Sequence, residues 1–146
     1  MSTDRAPGLP GPLPHPAAIG ILTGIDLVEM ARIRRTLDRF GERFLRRVYT
    51  PDEIAHCAGN VQSLAGRFAA KEAAMKVLGT GIEGVSWREL EVVSLARGKP
   101  VLHFHGNAAR YAEALGIVAH DLSIAHTHEH ATAIVVALTM PGSAPA

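Results

Sequence analysis

Asp26, Glu72 and Lys76 are the residues whose surroundings suggest chemistry. Asp26 is a single carboxylate within the β-prone apolar run 19–28. Glu72 and Lys76 stand four residues apart in the alanine-rich segment 61–78, where the only other formal charges are Arg67 and Lys71. Side chains four apart on a helix share a face, so the plainest reading is a helix-stabilising ion pair worth ~0.3–0.5 kcal/mol. The company of these residues argues for more. Val61, Leu64, Phe68, Met75 and Leu78 form one apolar stripe, and Ala65, Ala69, Ala70, Ala73, Ala74 and Val77 fill most of the remaining surface. A helix with so little polar face is buried on several sides. Charges on it are costly unless paired, metal-bound or turned toward a cleft. Two carboxylates on separate elements can hold a hard divalent ion such as Mg²⁺, which prefers few protein carboxylates, several waters and substrate phosphate oxygens. Lysines nearby would then neutralise phosphate charge. No Ser-His-Asp or Cys-His set is evident.

Two other clusters compete for a role. Seven arginines (Arg32, Arg34, Arg35, Arg39, Arg43, Arg46 and Arg47) face only Glu29, Asp38 and Glu42 between residues 29 and 50, a local excess of four positive charges. Such a patch is a solvated face, a docking surface for an acidic partner, or an RNA site. Few aromatics and a net charge of +1 argue against nucleic acid. His120, His126, His128 and His130 crowd near the end of the chain and raise zinc as an alternative. If residues 127–130 form a turn, the alternation a strand-borne ligand pair needs is lost.

The elements that must position these residues are legible. The run 19–28 reads as a strand with Ile21, Thr23, Ile25 and Leu27 on one face and Asp26 on the other. Residues 29–40 have helical spacing through Met30, Ile33, Leu37 and Phe40. Thr50-Pro51-Asp52-Glu53 is a capping box opening a short helix to about 58. The long helix runs from about 60 to 78 and stops at Gly79. Strands are expected at 90–95 and 101–105 around a turn at 96–100, a helix at 107–115, and strands at 121–126 and 131–138. This order predicts an α+β fold, a mainly antiparallel sheet packed against a long buried helix.

At 146 residues the chain is expected to form one domain, residues 19–140. It is flanked by a proline-rich tail, 1–18, and a frayed end, 141–146. Five of nine prolines lie in the first tail, which is extended or a proline-rich docking ligand. One cysteine, Cys57, excludes an internal disulfide and suits a reducing, cytoplasmic setting. No signal peptide and no membrane span are expected.

Thr23-Gly24-Ile25-Asp26-Leu27-Val28-Glu29 and Gly66-Arg67-Phe68-Ala69-Ala70-Lys71-Glu72-Ala73-Ala74-Met75-Lys76 resemble the two signature motifs of the holo-acyl-carrier-protein synthases, short members of the 4′-phosphopantetheinyl transferases. Gly79-Thr80-Gly81-Ile82, Gly98-Lys99-Pro100 and Leu122-Ser123-Ile124-Ala125-His126-Thr127 are similar to further segments of that family, in the same order. The resemblance spans residues 19–138 and implies the 4′-phosphopantetheinyl transferase fold. It also implies a reaction: transfer of phosphopantetheine from coenzyme A to a serine of apo acyl carrier protein, with Mg²⁺ (or Mn²⁺) on the pyrophosphate. By resemblance, Asp26 and Glu72 are metal ligands and Glu72 and Lys76 are catalytic. Arg67, Lys76, Lys99, His126 and Thr127 bind coenzyme A. Arg32 matches a carrier-contact position, and Arg35 and Arg39 extend it. The family also implies a homotrimer with active sites between subunits. A non-catalytic module binding carrier protein or coenzyme A is the alternative. Ala125 departs from the family, where Ser or Thr is frequent, and so do His128, His130 and the proline-rich tail.

Overall fold

The computed structural model describes residues 19–141. The tail at 1–18 and all but the first residue of the expected tail 141–146 lie outside the described residues. The chain forms β1 (Gly20–Glu29), α1 (Met30–Phe40), α2 (Glu42–Val48), α3 (Pro51–Cys57) and α4 (Val61–Leu78). After a short 3₁₀ turn (Trp87–Glu89) come β2 (Leu90–Ser94), β3 (Pro100–Phe104), α5 (Gly106–Ala114), β4 (Ile117–His126) and β5 (His130–Thr139). Three strands make an antiparallel sheet in the order β1-β5-β4, and β2 and β3 form a separate hairpin. The α+β class and the antiparallel pairing are as the sequence predicts.

Local chemistry sets the helix ends. The Thr50 hydroxyl accepts the Glu53 N–H at 3.2 Å, and a Glu53 carboxylate oxygen accepts the Thr50 N–H at 3.0 Å, the two halves of a capping box. The Asn60 side chain accepts the Ser63 N–H at 2.9 Å and caps α4. Gly79 closes α4 at φ 71°, a left-handed backbone that costs glycine nothing.

Helix α4 lies across the inner face of the three-stranded sheet and is buried along most of its length. The face it covers is lined by Val28 of β1, Ala131, Ala133, Val135 and Ala137 of β5, and Leu122 of β4. Alanines on both surfaces bring the helix close to the strands. The approach is tightest at Gly24, where an added Cβ would collide with the Ala73 carbonyl oxygen and sit 2.9 Å from its carbon. Gly24 therefore fixes where β1 crosses α4, two residues before Asp26.

Two elements differ from expectation. Residues 42–48 form α2, which the sequence left unassigned; Gly41, at φ 52°, turns the chain between α1 and α2. Strand β4 begins at Ile117 rather than at 121. Its early residues, Val118 to Asp121, are exposed and carry no apolar alternation, and an irregularity in the pairing with β5 falls between Ile117 and Ala119.

Candidate active site

Asp26 faces α4 from the inner side of β1, opposite the exposed Ile25 and Leu27. The Lys76 ammonium reaches back across the Gly24 crossing. It donates to the Ile25 carbonyl at 2.6 Å and to Asp26 Oδ1 at 3.4 Å. The simple helix pair is thus not what forms. Lys76 is drawn to the strand, and among the described residues Glu72 has no ion pair.

Glu72 is held close enough to Asp26 for the two charges to be felt. Burial first, and the Asp26 carboxylate second, push the Glu72 carboxyl above its ordinary range; Arg32 and Lys76 pull the other way. Two carboxylates that repel across a half-buried gap are a donor set short of positive charge, which is the condition a divalent cation relieves. Among the described residues no three His, Cys, Asp or Glu side chains converge, so any ion here would take two carboxylates and fill its shell with water and phosphate oxygens.

The structure also moves Arg32 toward this site. Its guanidinium lies 5.6 Å from the centroid of the Phe68 ring and lowers the Glu72 pKa. Arg35 and Arg39 continue along exposed α1, and Arg39 sits over the Phe40 ring at 5.0 Å. The three arginines share a face by their spacing of three and four residues.

The other expected coenzyme A ligands stand elsewhere in this chain. Arg67 is buried; its Nη2 donates to Ser94 Oγ at 3.0 Å, its Nε has no partner, and among the described residues no carboxylate pairs with it. At about 100° per residue it lies half a turn around α4 from Lys76. Lys99, at the β2–β3 turn, meets Asp121 at 3.1 Å on the surface. The Asp121 carboxyl is pulled down by the Leu122 N–H first and by Lys99 second. His126 ends β4 in the row of Val28 and Ala131, one step beyond the row of Asp26, Ala133 and Ile124. The Thr127 hydroxyl accepts the N–H groups of Glu129 and His130 at 3.3 and 3.1 Å and holds the turn between β4 and β5. His128 lies in that turn and His130 opens β5, while a ring nitrogen of His120 sits 2.6 Å from the Leu102 carbonyl oxygen. These positions give the zinc alternative no assembled ligand set among the described residues.

The sequence leaves Lys71 open as a structural cation holding a carboxylate, but it does not identify the partner. The ammonium of Lys71, fully buried, meets Glu53 at 2.7 Å. The capping box had marked Glu53 only as a helix start, and nothing local reveals that its carboxylate also reaches α4.

Residues 23–135 match the family model described as the 4′-phosphopantetheinyl transferase superfamily. A holo-acyl-carrier-protein synthase of Koribacter versatilis is 50% identical over 118 residues, covering 78% of this chain and 94% of that protein. The protein of the same name from Herpetosiphon aurantiacus is 45% identical over 125 residues, covering 81% and 98%. Among solved structures, the Helicobacter pylori holo-acyl-carrier-protein synthase in complex with coenzyme A superposes with a TM-score of 0.73 at 33% identity, over 80% of this chain and 99% of that one. The Neisseria meningitidis synthase gives 0.73 at 38% identity, over 80% and 96%. The chain belongs to the 4′-phosphopantetheinyl transferase superfamily. Within that superfamily the relatives it resembles at this level are holo-acyl-carrier-protein synthases.

Proposed function

We infer that this protein is an enzyme that transfers 4′-phosphopantetheine from coenzyme A to a serine of apo acyl carrier protein, releasing adenosine 3′,5′-bisphosphate. The observation that carries the reading is the Asp26–Glu72–Lys76 arrangement at the crossing of β1 and α4, in a chain whose relatives are named for this activity.

The chemistry asks for alignment and charge neutralisation more than for covalent help. The carrier serine oxygen forms a bond to the β-phosphorus of coenzyme A. The bond from that phosphorus to the bridging oxygen breaks, and the leaving adenosine bisphosphate keeps the electron pair. The serine proton goes to Glu72, directly or through water. Lys76, already at the rim of the carboxylate pair, offers a proton and a positive charge to the leaving phosphate. Asp26 and Glu72 would hold Mg²⁺, with Mn²⁺ as the substitute. When bound, the ion supplies Lewis-acid charge neutralisation and a template for the pyrophosphate.

Arg67, Lys99, His126 and Thr127, which stand apart from Glu72 and Lys76 within one chain, would complete the proposed coenzyme A site across a boundary between subunits. Arg67 supports this by being a buried cation with no counter-charge among the described residues. Arg32, Arg35 and Arg39 form the docking face for the acidic carrier; steering by complementary charge acts chiefly on encounter and register.

The proposed assembly is a homotrimer with sites between subunits. The outer face of the sheet supports association. Ile21, Ile25 and Leu27 of β1 are each more than 60% exposed, and Ile134 and Leu138 beside them are about two-fifths exposed. A contiguous apolar strip of this kind marks an interface. Ile25→Lys is expected to reduce the mass seen in sedimentation to that of one chain; an unchanged mass would place the interface elsewhere. No helix among the described residues is long and apolar enough to cross a membrane, and the proposed location is the cytoplasm.

The direct test incubates the protein with apo acyl carrier protein, coenzyme A and Mg²⁺ and weighs the carrier. A covalent gain equal to phosphopantetheine is expected. Carrier binding with no gain would favour a non-catalytic binding module instead.

A further inference from the structure

Glu53 and Lys71 take no part in the chemistry above, yet they are charges placed wholly inside the protein, at 1% and 0% exposure. Their polar valences are filled. The Lys71 ammonium donates to Glu53 Oε1 at 2.7 Å, to the Leu90 carbonyl at 2.7 Å and to the Trp87 carbonyl at 3.1 Å, three protons on three acceptors. Glu53 Oε1 also accepts the Thr50 N–H at 3.0 Å, and Oε2 accepts the Val92 N–H at 3.1 Å. One pair therefore joins α3, α4, the 3₁₀ turn and β2.

The reason for charge at this place lies in the surface of α4. Ala65, Ala69, Ala70, Ala73 and Ala74 give the helix shallow relief against its neighbours. Apolar contact is non-directional and resists rolling about the helix axis only weakly where side chains are this small. The hydrogen bonds of Lys71 are directional. Glu72 is the next residue. A side-chain tip about 6 Å from the axis moves roughly 1.5 Å for a roll of about 15°. Misplacement of a reacting group by ~1 Å can cost about 10²-fold in rate.

We propose that the Glu53–Lys71 pair is a positioning device that sets the roll of α4 and so holds Glu72 against Asp26. The inference rests on the reading of Glu72 as a reacting group. Glu53 and Lys71 are positioning residues: neither touches substrate, and Arg32, Arg35 and Arg39 are left as they are when the pair is altered.

Two variants test it. Glu53→Asp keeps the charge and draws the anchor back by one methylene. The double variant Glu53→Gln with Lys71→Met removes both charges together, so neither is left buried alone. Each is compared with the wild-type protein for melting temperature, kcat, KM for both substrates, and the Mg²⁺ concentration giving half activity. The expected result is a folded protein with kcat down about 10–100-fold, half-activating Mg²⁺ raised several-fold, and KM for carrier protein within twofold of wild type. Folded variants with wild-type kcat and wild-type Mg²⁺ demand overturn the proposal. So does a fall in kcat that disappears when the assay is cooled well below the variant's melting temperature, since that is the mark of a stabilising pair alone. Should the double variant not fold, Glu53→Asp decides between these outcomes by the same readouts. A wild-type protein that fails to modify any carrier would sink the enzymatic reading itself, whereas wild-type transfer with indifferent variants sinks only the positioning role.

Discussion

Helix α4 carries two lysines, Lys71 and Lys76, and the charges around them are arranged in opposite ways. Lys71 and Glu53 are sealed in the interior, and every donor and acceptor on them is used. Glu72, the residue after Lys71, and Lys76, about one turn further on, are spaced as a helix pair but do not bond to each other. Lys76 is pulled to Asp26 and the Ile25 carbonyl, and Glu72 is left with a raised pKa beside a second carboxylate. The first arrangement is finished and rigid. The second is short of positive charge and opens toward solvent, with the Lys76 side chain about half exposed. Burial without completion is costly, so a fold keeps such a site where a ligand completes it. On the proposed reading, the contrast separates charges that hold the helix from charges that act on a substrate.

Glu72→Gln should strain the contrast most. It removes the proposed ligand charge and the proposed proton acceptor, and transfer should fall by about 10³-fold in the carrier mass assay. Stability should behave the other way. An acid whose folded pKa is raised costs stability when ionised; the cost is absent below its unfolded pKa and complete above its folded pKa. The metal-free Gln variant should therefore melt at the same temperature as wild type or higher at pH 8, by calorimetry. A large drop in melting temperature would place Glu72 with the structural charges.

Lys76→Ala comes next, with kcat lower by roughly 10²-fold and little change in melting temperature. If the variant instead melted many degrees lower with kcat intact, Lys76 would belong with Lys71.

The smallest effect sharpens the electrostatics of the open site. Arg32 lowers the Glu72 pKa, so Arg32→Gln should let that carboxyl rise further. Protonation competes with cation binding, and the acid limb of activity should shift to higher pH. KM for the carrier should also rise by about tenfold if Arg32 supplies the proposed docking charge. A pH profile identical to wild type would remove Arg32 from the neighbourhood of Glu72.

Much of this was legible in the chain itself. The alanine pattern with four charges predicted a helix buried on several sides, and α4 is that helix. The Thr50-Pro51-Asp52-Glu53 box and Gly79 fixed two ends to within a residue. The lone carboxylate of β1 was visible because alternation set Asp26 apart from Ile25 and Leu27. Two things were hidden. Helix α2 lies in a seven-residue stretch too short for periodicity to speak, bounded by a glycine corner. The partner of Lys71 lies 18 residues away on another helix, and only packing decides that Glu53 reaches it. Helical spacing also suggested a Glu72–Lys76 pair that the fold does not make, because the strand carbonyl at Ile25 and the Asp26 carboxylate compete for the same ammonium.

The central claim is that Asp26 and Glu72 jointly hold one divalent cation for the pyrophosphate of coenzyme A. Titration of Mn²⁺ in the presence of coenzyme A, followed by the electron paramagnetic resonance of the free ion, measures this directly. One tight site per chain is expected in the wild-type protein, lost in both Asp26→Asn and Glu72→Gln. A tight site that survives either substitution, with the protein folded, would contradict the account.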